Sequence, residues 1–477
     1  MRSSTSEQSG HSPDTVRKTG FTTQRPASGR ERALTLFLGI LATAVTLGAL
    51  IGLAITLTVL PTQSSWIDIA VRVILMILGL SLGIRQAMIL LLSLLGSRRT
   101  EGHTGSTPAF KQPTISIVMP AYNEAENIRA SIQSVLDLNY RSIELVVVDD
   151  GSSDNTYEIA KPFEGIYPGR TVNIVRKENG GKSSALNLGF TLSTADFVLM
   201  IDADTQIAKN ALGFMIEHMA NPQVDAVAGQ VMVRNRSFLL TRLQALEYLI
   251  ANATIRAAQS FTKSVLLVPG PIGLFRRSAL EAVAEDLTDM PHRDRHDPSI
   301  VAPVSEATFA EDFETSLRVL INGGGITYEP RAISETRAPD RMHTLLNQRY
   351  RWIRGHFQVS RLYLQRLQSA ASFKLSFWMW LTFLFDIYVM PLANVTIFLV
   401  LFIGFILMGN IGLFFAIAAG TYLIFASVFA YSIASQRARW TLMAVTPIFI
   451  FYQTFVLTGA YAIALLDEMR RIKMEWN

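Results

Sequence analysis

Two aspartates one residue apart, Asp202 and Asp204, follow the apolar run Phe197 to Ile201. Paired carboxylates behind a buried strand repel each other unless a cation shares them. Their hard oxygens suit magnesium or manganese, which then bridge to phosphate; a solvated turn is the plainer alternative. Asp149-Asp150-Gly-Ser152 ends a second apolar run and offers carboxylates to a ribose or base, or forms an Asx turn. Asn179-Gly-Gly-Lys182 sets backbone N–H groups and an ammonium ahead of a helical stretch, which favours phosphate. Glu311-Asp312 precedes the helical stretch Thr315 to Ile321. Acids there complement a helix dipole, or one of them, if buried, acts as a general base. Gln348-Arg-Tyr-Arg351-Trp352 joins an amide, a guanidinium and an indole. Arginine suits phosphate, and tryptophan stacks on a sugar face or packs in a core. The whole segment also reads as a basic amphipathic helix on a membrane surface.

These residues need elements to hold them. Thr114 to Met119, Ile143 to Val148, Thr171 to Val175 and Asp196 to Ile201 read as strands, the first ended by Pro120. Asn123 to Leu136 reads as a helix capped by Asn123. Strands alternating with helices predict a mostly parallel α/β sheet over residues 111–350. Ligands of such sheets bind beyond the carboxyl ends of the strands, where both acidic clusters fall.

The rest of the chain is unlike a soluble protein. Of its 477 residues, 17% are charged and 49% hydrophobic, against about 25% charged in an average soluble domain. Disorder and collagen are excluded, and without cysteine so are disulfides, thiol catalysis and Cys-ligated zinc. Ala33 to Leu60 holds no charge, and Trp66 to Leu95 holds only Asp68, Arg72 and Arg85. Each exceeds the ~20 residues that cross a bilayer core. Arg72 and Arg85 then need to snorkel or find a partner. No charge occurs from Ile387 to Gln436 or from Thr441 to Leu466.

The predicted organisation is a disordered leader at 1–32, two spans in 33–95 and the α/β domain at 111–350. An interfacial helix at 351–374, three or four spans or re-entrant helices in 375–466 and a basic tail at 467–477 follow. Arginines flank both outer ends of the first hairpin, at Arg25, Arg30, Arg32, Arg98 and Arg99. The positive-inside rule then puts the leader and the α/β domain in the cytoplasm, on a multi-pass inner (plasma) membrane protein. The net charge of +5 is modest and fits a membrane surface, an anionic substrate or neither; no nucleic-acid partner is expected.

In order, the fragments are Pro120-Ala-Tyr-Asn-Glu124, Val148 to Ser152, Asn179 to Lys182, Asp202-Ala-Asp204, Gly270 to Arg277, Glu311-Asp312 and Gln348-x-x-Arg351-Trp352. This series resembles the family-2 inverting glycosyltransferases. It is most similar to the membrane-integrated processive synthases of cellulose, chitin, hyaluronan and poly-N-acetylglucosamine. The resemblance implies a GT-A-like catalytic domain flanked by transmembrane helices. Tyr122, Glu124 and Asp150 would line the nucleoside pocket, with Lys182 near the diphosphate. Asp202 and Asp204 would be the Asp-x-Asp pair, Asp204 the metal ligand for Mg2+ or Mn2+. Asp312 would be the catalytic base. Gln348 and Arg351 would hold the diphosphate, and Gly270 and Trp352 would shape the acceptor site.

The implied reaction moves a hexose or N-acetylhexosamine from a UDP-sugar, with inversion, to the growing end of a β-linked polysaccharide. The alternative is single transfer to a membrane lipid acceptor. Membrane lipids and a small membrane subunit are the other implied partners. An idle scaffold fits poorly, because the polar motif positions are filled. Two departures stand out, Ala310 where cellulose synthases carry Thr and a long polar stretch from Asp286 to Ser305 with His292 and His296; a third expectation is that no regulatory domain follows the last span.

Overall fold

The computed structural model describes residues 27–59, 66–101, 113–288, 300–369, 385–389, 392–393, 396 and 411–472. Most of the leader, His292 and His296, most of the span expected near 386–408 and the last five residues of the tail lie outside the described residues.

The chain opens with α1 (Gly29–Val59) and α2 (Trp66–Glu101). Leu50 lies over Gly83, Leu53 over Gly79 and Leu94 over Gly39, so small residues let an antiparallel pair approach closely. Arg72 donates to the Leu57 carbonyl at 2.8 Å, and the Arg85 guanidinium lies 5.5 Å over the Phe385 ring. Both arginines thereby meet the need for a partner that their positions created. Among the described residues four helical segments are long and apolar enough to cross a membrane: Gly29–Ile55, Arg72–Gly96, Ala418–Ser435 and Trp440–Met469. The third belongs to the helix Ile411–Ser435, and the fourth ends in the helix Thr458–Met469.

Between them stands an α/β domain. Its elements are β1 (Ile115–Ala121), α3 (Ile128–Leu136), β2 (Ile143–Asp149), α4 (Thr156–Ala160), β3 (Gly165–Tyr167), β4 (Arg170–Arg176), α5 (Lys182–Leu192), β5 (Phe197–Met200) and β6 (Gln206–Ile207). There follow α6 (Ala211–Met219), β7 (Ala226–Val233), α7 (Leu239–Ala251), α8 (Ala257–Phe261), β8 (Gly273–Arg276), α9 (Arg277–Thr288), α10 (Glu311–Ile321), β9 (Ile326–Thr336) and α11 (Met342–Ser369). One 9-stranded sheet runs β3-β4-β2-β1-β5-β8-β7-β9-β6. The expected α/β sheet is parallel across β4-β2-β1-β5; β8 then enters antiparallel and makes the far half mixed. Central strands such as β1 are buried at every position, because helices cover both faces.

Two local readings change. Pro120 lies inside β1 rather than after it. The β5 ladder stops at Val118, so the N–H that proline lacks is not needed on that side. Helix α3 begins at Ile128, not Asn123. Asn123 sits at φ 54° in a turn, where its Oδ1 accepts from the Ser153 N–H at 2.9 Å. Asparagine tolerates this backbone region because its short amide bonds locally. Helix α11 is continuous through the boundary drawn at residue 350.

Candidate active site

The register of the parallel strands brings the motif loops to one edge. Ala121 pairs with Asp149, and Val118 with Met200, so Tyr122, Asp150 and Asp202 all emerge from neighbouring carboxyl ends. The loops are stitched together there. Asp150, 2% exposed, accepts from Lys177 Nζ at 2.7 Å and from the Gly180 and Gly181 N–H groups at 3.0 and 2.7 Å. Both glycine N–H groups, expected to face phosphate, are therefore turned onto the Asp150 carboxylate. Gly151 makes this possible: at φ 71° it lies so close that a Cβ would come within 2.8 Å of the Asn179 nitrogen. Tyr122 is half exposed on the loop above.

The chemistry converges one strand away. Lys182 opens α5, and its Nζ lies 2.8 Å from Asp202 and 2.9 Å from Glu311. A cavity is lined by Lys182, Asp202, Gly270, Glu311, Asp312 and Thr315, together with apolar side chains. Gly270 presses against the ion pair, since a Cβ there would lie 3.0 Å from Lys182 Nζ. Asp204 is held from another strand: the Thr336 hydroxyl, at the end of β9, lies 3.1 and 3.0 Å from its two oxygens and donates to them.

Six ionisable groups share this edge unequally. Burial, with the Glu311 charge beside it, pushes the Asp312 carboxyl up to about 6. Burial works against ionisation of Glu311 too, but the Lys182 ammonium outweighs it and holds that carboxyl below its usual range. Asp202, Glu311 and Asp312 outweigh the desolvation of Lys182 and hold its ammonium well above the ordinary value. Burial and then the Asp202 charge raise Asp204. Burial raises Glu124 as well, with Asp204 and Asp202 adding to it against the Asn127 hydrogen bond.

The donor set at the Asp-x-Asp pair is therefore made of hard oxygens in like-charge conflict, which a divalent cation relieves. Among the described residues no cluster of three or more His, Asp or Glu side chains encloses a metal unaided. A cation held by Asp202 and Asp204 would complete its shell with substrate oxygens and water, as magnesium commonly does.

Gln348, Arg351 and Trp352 lie on α11, outside the set that lines the cavity. Arg351 is exposed, and Trp352 is 37% exposed. The buried amide oxygen of Gln348 has no hydrogen-bond partner. Sequence reasoning passed over the arginines between and after them. Arg349, 5% exposed, pairs with Glu247 of α7 at 3.0 Å and lies 4.4 Å over the Trp352 ring. Arg354, 3% exposed, pairs with Glu468 at 3.1 Å. Their only signal was a basic segment lacking acids of its own. His356, withdrawn from water against Phe313 at 4.7 Å between rings, is pushed down to about 4 and stays neutral.

Residues 116–284 match the family described as glycosyl transferase family 2. The chain is 33% identical over 246 residues to a poly-beta-1,6-N-acetyl-D-glucosamine synthase of Staphylococcus epidermidis, covering 51% of this chain and 55% of that one. A poly-beta-1,6-N-acetyl-D-glucosamine synthase of Staphylococcus aureus is 32% identical over 246 residues, with the same coverage of 51% and 55%. The chain thus spans about half the length of the curated relatives it matches. Its fold is similar to that of a mannosyltransferase from Pyrobaculum calidifontis in complex with GDP-Man and Mn2+, with a TM-score of 0.52 at 18% identity over 81% of this chain and 99% of that one. The α/β domain thus carries a match to glycosyl transferase family 2 over residues 116–284 and has a GT-A-like fold, and among the described residues four helical segments long and apolar enough to cross a membrane flank it.

Proposed function

We infer that this chain is an inverting membrane glycosyltransferase that extends a β-linked polymer, taking N-acetylglucosamine from UDP-N-acetylglucosamine. One observation carries the reading. Asp312, a carboxyl raised to about 6, shares a cavity with Lys182 and the first aspartate of the Asp-x-Asp pair. A general base works best when its pKa lies near the operating pH. The choice of sugar follows the synthases of Staphylococcus, and the cytoplasmic side follows the basic flanks of the first hairpin.

The acceptor hydroxyl gives its proton to a carboxylate oxygen of Asp312 as its oxygen bonds to the anomeric carbon. The bond from that carbon to the diphosphate breaks on the opposite face, so an α-linked donor yields a β-linkage. Negative charge grows on the departing diphosphate, and Lys182 and Arg351 are the cations this chain offers it. Mg2+ or Mn2+ at Asp202 and Asp204 would supply Lewis-acid stabilisation of the same charge. Tyr122, Glu124 and Asp150 serve the nucleoside side, Asp150 by clasping the glycine turn. Gly270, Gln348 and Trp352 border the acceptor side. One base suffices for a single displacement, whereas a retaining mechanism needs a second, nucleophilic carboxylate.

The test is diphosphate-nucleoside release by the purified chain with Mg2+ or Mn2+, comparing UDP-N-acetylglucosamine, UDP-glucose, UDP-glucuronate and UDP-galactose, with and without lipid. High-mass product from UDP-N-acetylglucosamine supports the reading. Turnover that needs lipid and yields a short glycolipid refutes polymer extension.

A further inference from the structure

Two consecutive residues of α11 face different neighbours. Arg354 donates through Nε to Glu468 at 3.1 Å, through Nη1 to the Tyr350 hydroxyl at 2.9 Å and through Nη2 to the Ile472 carbonyl at 2.6 Å. Tyr350 in turn donates to Asp467 at 2.8 Å. Gly355, the next residue, lies directly on Ala310: a Cβ there would fall 2.7 Å from Ala310 Cβ and 2.9 Å from its backbone nitrogen. Ala310 is the residue before Glu311-Asp312. Two turns on, the Tyr363 hydroxyl donates to Glu314 at 2.7 Å, and the other oxygen of Glu314 takes the Thr308 hydroxyl at 2.7 Å. The loop that presents Asp312 is thus pinned to α11, and α11 is pinned to the last apolar helix.

Local energetics give no reason for the acids on that helix. Asp467 and Glu468 sit in the last turn of Thr458–Met469, at the negative end of its dipole, where carboxylates are disfavoured. They also close an uncharged run that begins at Thr441. Ionisable groups at such positions are unfavourable unless paired, and their partners then indicate their role. The partners here are Tyr350 and Arg354, flanking the Arg351-Trp352 pair.

We propose that Asp467 and Glu468 are positioning residues for the transfer step: they fix α11 and, through Gly355 and Ala310, the loop that presents Asp312. The proposal rests on Asp312 being the base. It also accounts for Ala310, because a larger residue there would collide with α11.

The test uses the full chain in lipid nanodiscs with UDP-N-acetylglucosamine as the probe. It reads kcat and donor KM per folded molecule for Glu468→Gln, Arg354→Gln, the double variant, Gly355→Ala and Asp312→Asn. Glu468→Gln and Gly355→Ala are expected to lower kcat about 10- to 100-fold with donor KM within about twofold, since displacing a reacting group by about 1 Å has that effect. The double variant is expected to be no slower than the slower single one, because both break one link. Unchanged kcat in Glu468→Gln and Gly355→Ala, with Asp312→Asn inactive, overturns the latch and leaves the base in place. Full turnover in Asp312→Asn overturns both. A loss that vanishes when counted per folded molecule reduces the contact to a structural one and also overturns the proposal.

Discussion

The ammonium of Lys182 lies 2.8 Å from Asp202, and the same nitrogen lies 2.9 Å from Glu311. One cation thereby ties the Asp-x-Asp loop, at the end of β5, to the first turn of α10. Glu311 takes that charge, and its neighbour Asp312 is left to hold its proton more tightly. Two adjacent carboxylates are split into a permanent anion and a group that titrates near neutrality.

The split predicts a pH profile. As the proposed base, Asp312 must be ionised to accept a proton, so kcat/KM should fall as pH drops through about 6. Glu311→Gln removes a charge that raises Asp312, so the acid limb should move to lower pH. Initial rates between about pH 5 and 8 read both effects.

The same shift has a sign for stability. Asp312 binds its proton more tightly in the folded chain than a free aspartate does at its ordinary 3.8, so rising pH between there and about 6 destabilises the fold, and above 6 the full penalty remains. Asp312→Asn removes it. At pH 7 this variant should lose turnover yet unfold later, by on the order of 1–3 kcal/mol, measured by thermal or denaturant unfolding in detergent.

Gly270 is close enough to Lys182 and Asp202 that a methyl group must displace one of them. Gly270→Ala should lower kcat/KM roughly tenfold, about 1.4 kcal/mol in transition-state terms, while the fold persists. Steady-state kinetics on the folded variant check it.

Glu247 accepts from Arg349 at 3.0 Å and from the Tyr452 hydroxyl at 2.9 Å, and Arg349 lies over Trp352. Glu247→Gln should loosen the indole and raise the acceptor KM more than the donor KM, by roughly tenfold against twofold. Competition with added oligosaccharide acceptors reads the difference.

Much of the scaffold was legible because its signals are local. The apolar runs gave β1, β2, β4 and β5 to within two residues, and the motifs fell at their carboxyl ends. Charge-free stretches gave the helices that flank the domain. The rest depends on partners far away in sequence. Nothing near Gly273 announces that β8 runs antiparallel between β5 and β7. Nothing near Asp150 tells that its oxygens are taken by Lys177 and the glycine turn. Glu311 was visible as one of an acidic pair, but its role depends on Lys182, well over a hundred positions away. Arg349 and Arg354 read as surface charges because the acids that bury them sit on α7 and the last helix.

Asp312 is the proposed acceptor of the proton in an inverting transfer beside a metal-dependent Asp-x-Asp pair. The most direct measurement is a parallel time course of UDP release and of the anomeric configuration of the product, for the wild-type chain, Asp312→Asn and Asp204→Asn, with UDP-N-acetylglucosamine and titrated Mn2+. The wild type should give a β-linked polymer. Turnover should be at least about 10²-fold lower in Asp312→Asn, and the metal requirement of Asp204→Asn strongly raised. Undiminished turnover in Asp312→Asn would rule Asp312 out as the base, and an α-linked product would rule out inversion.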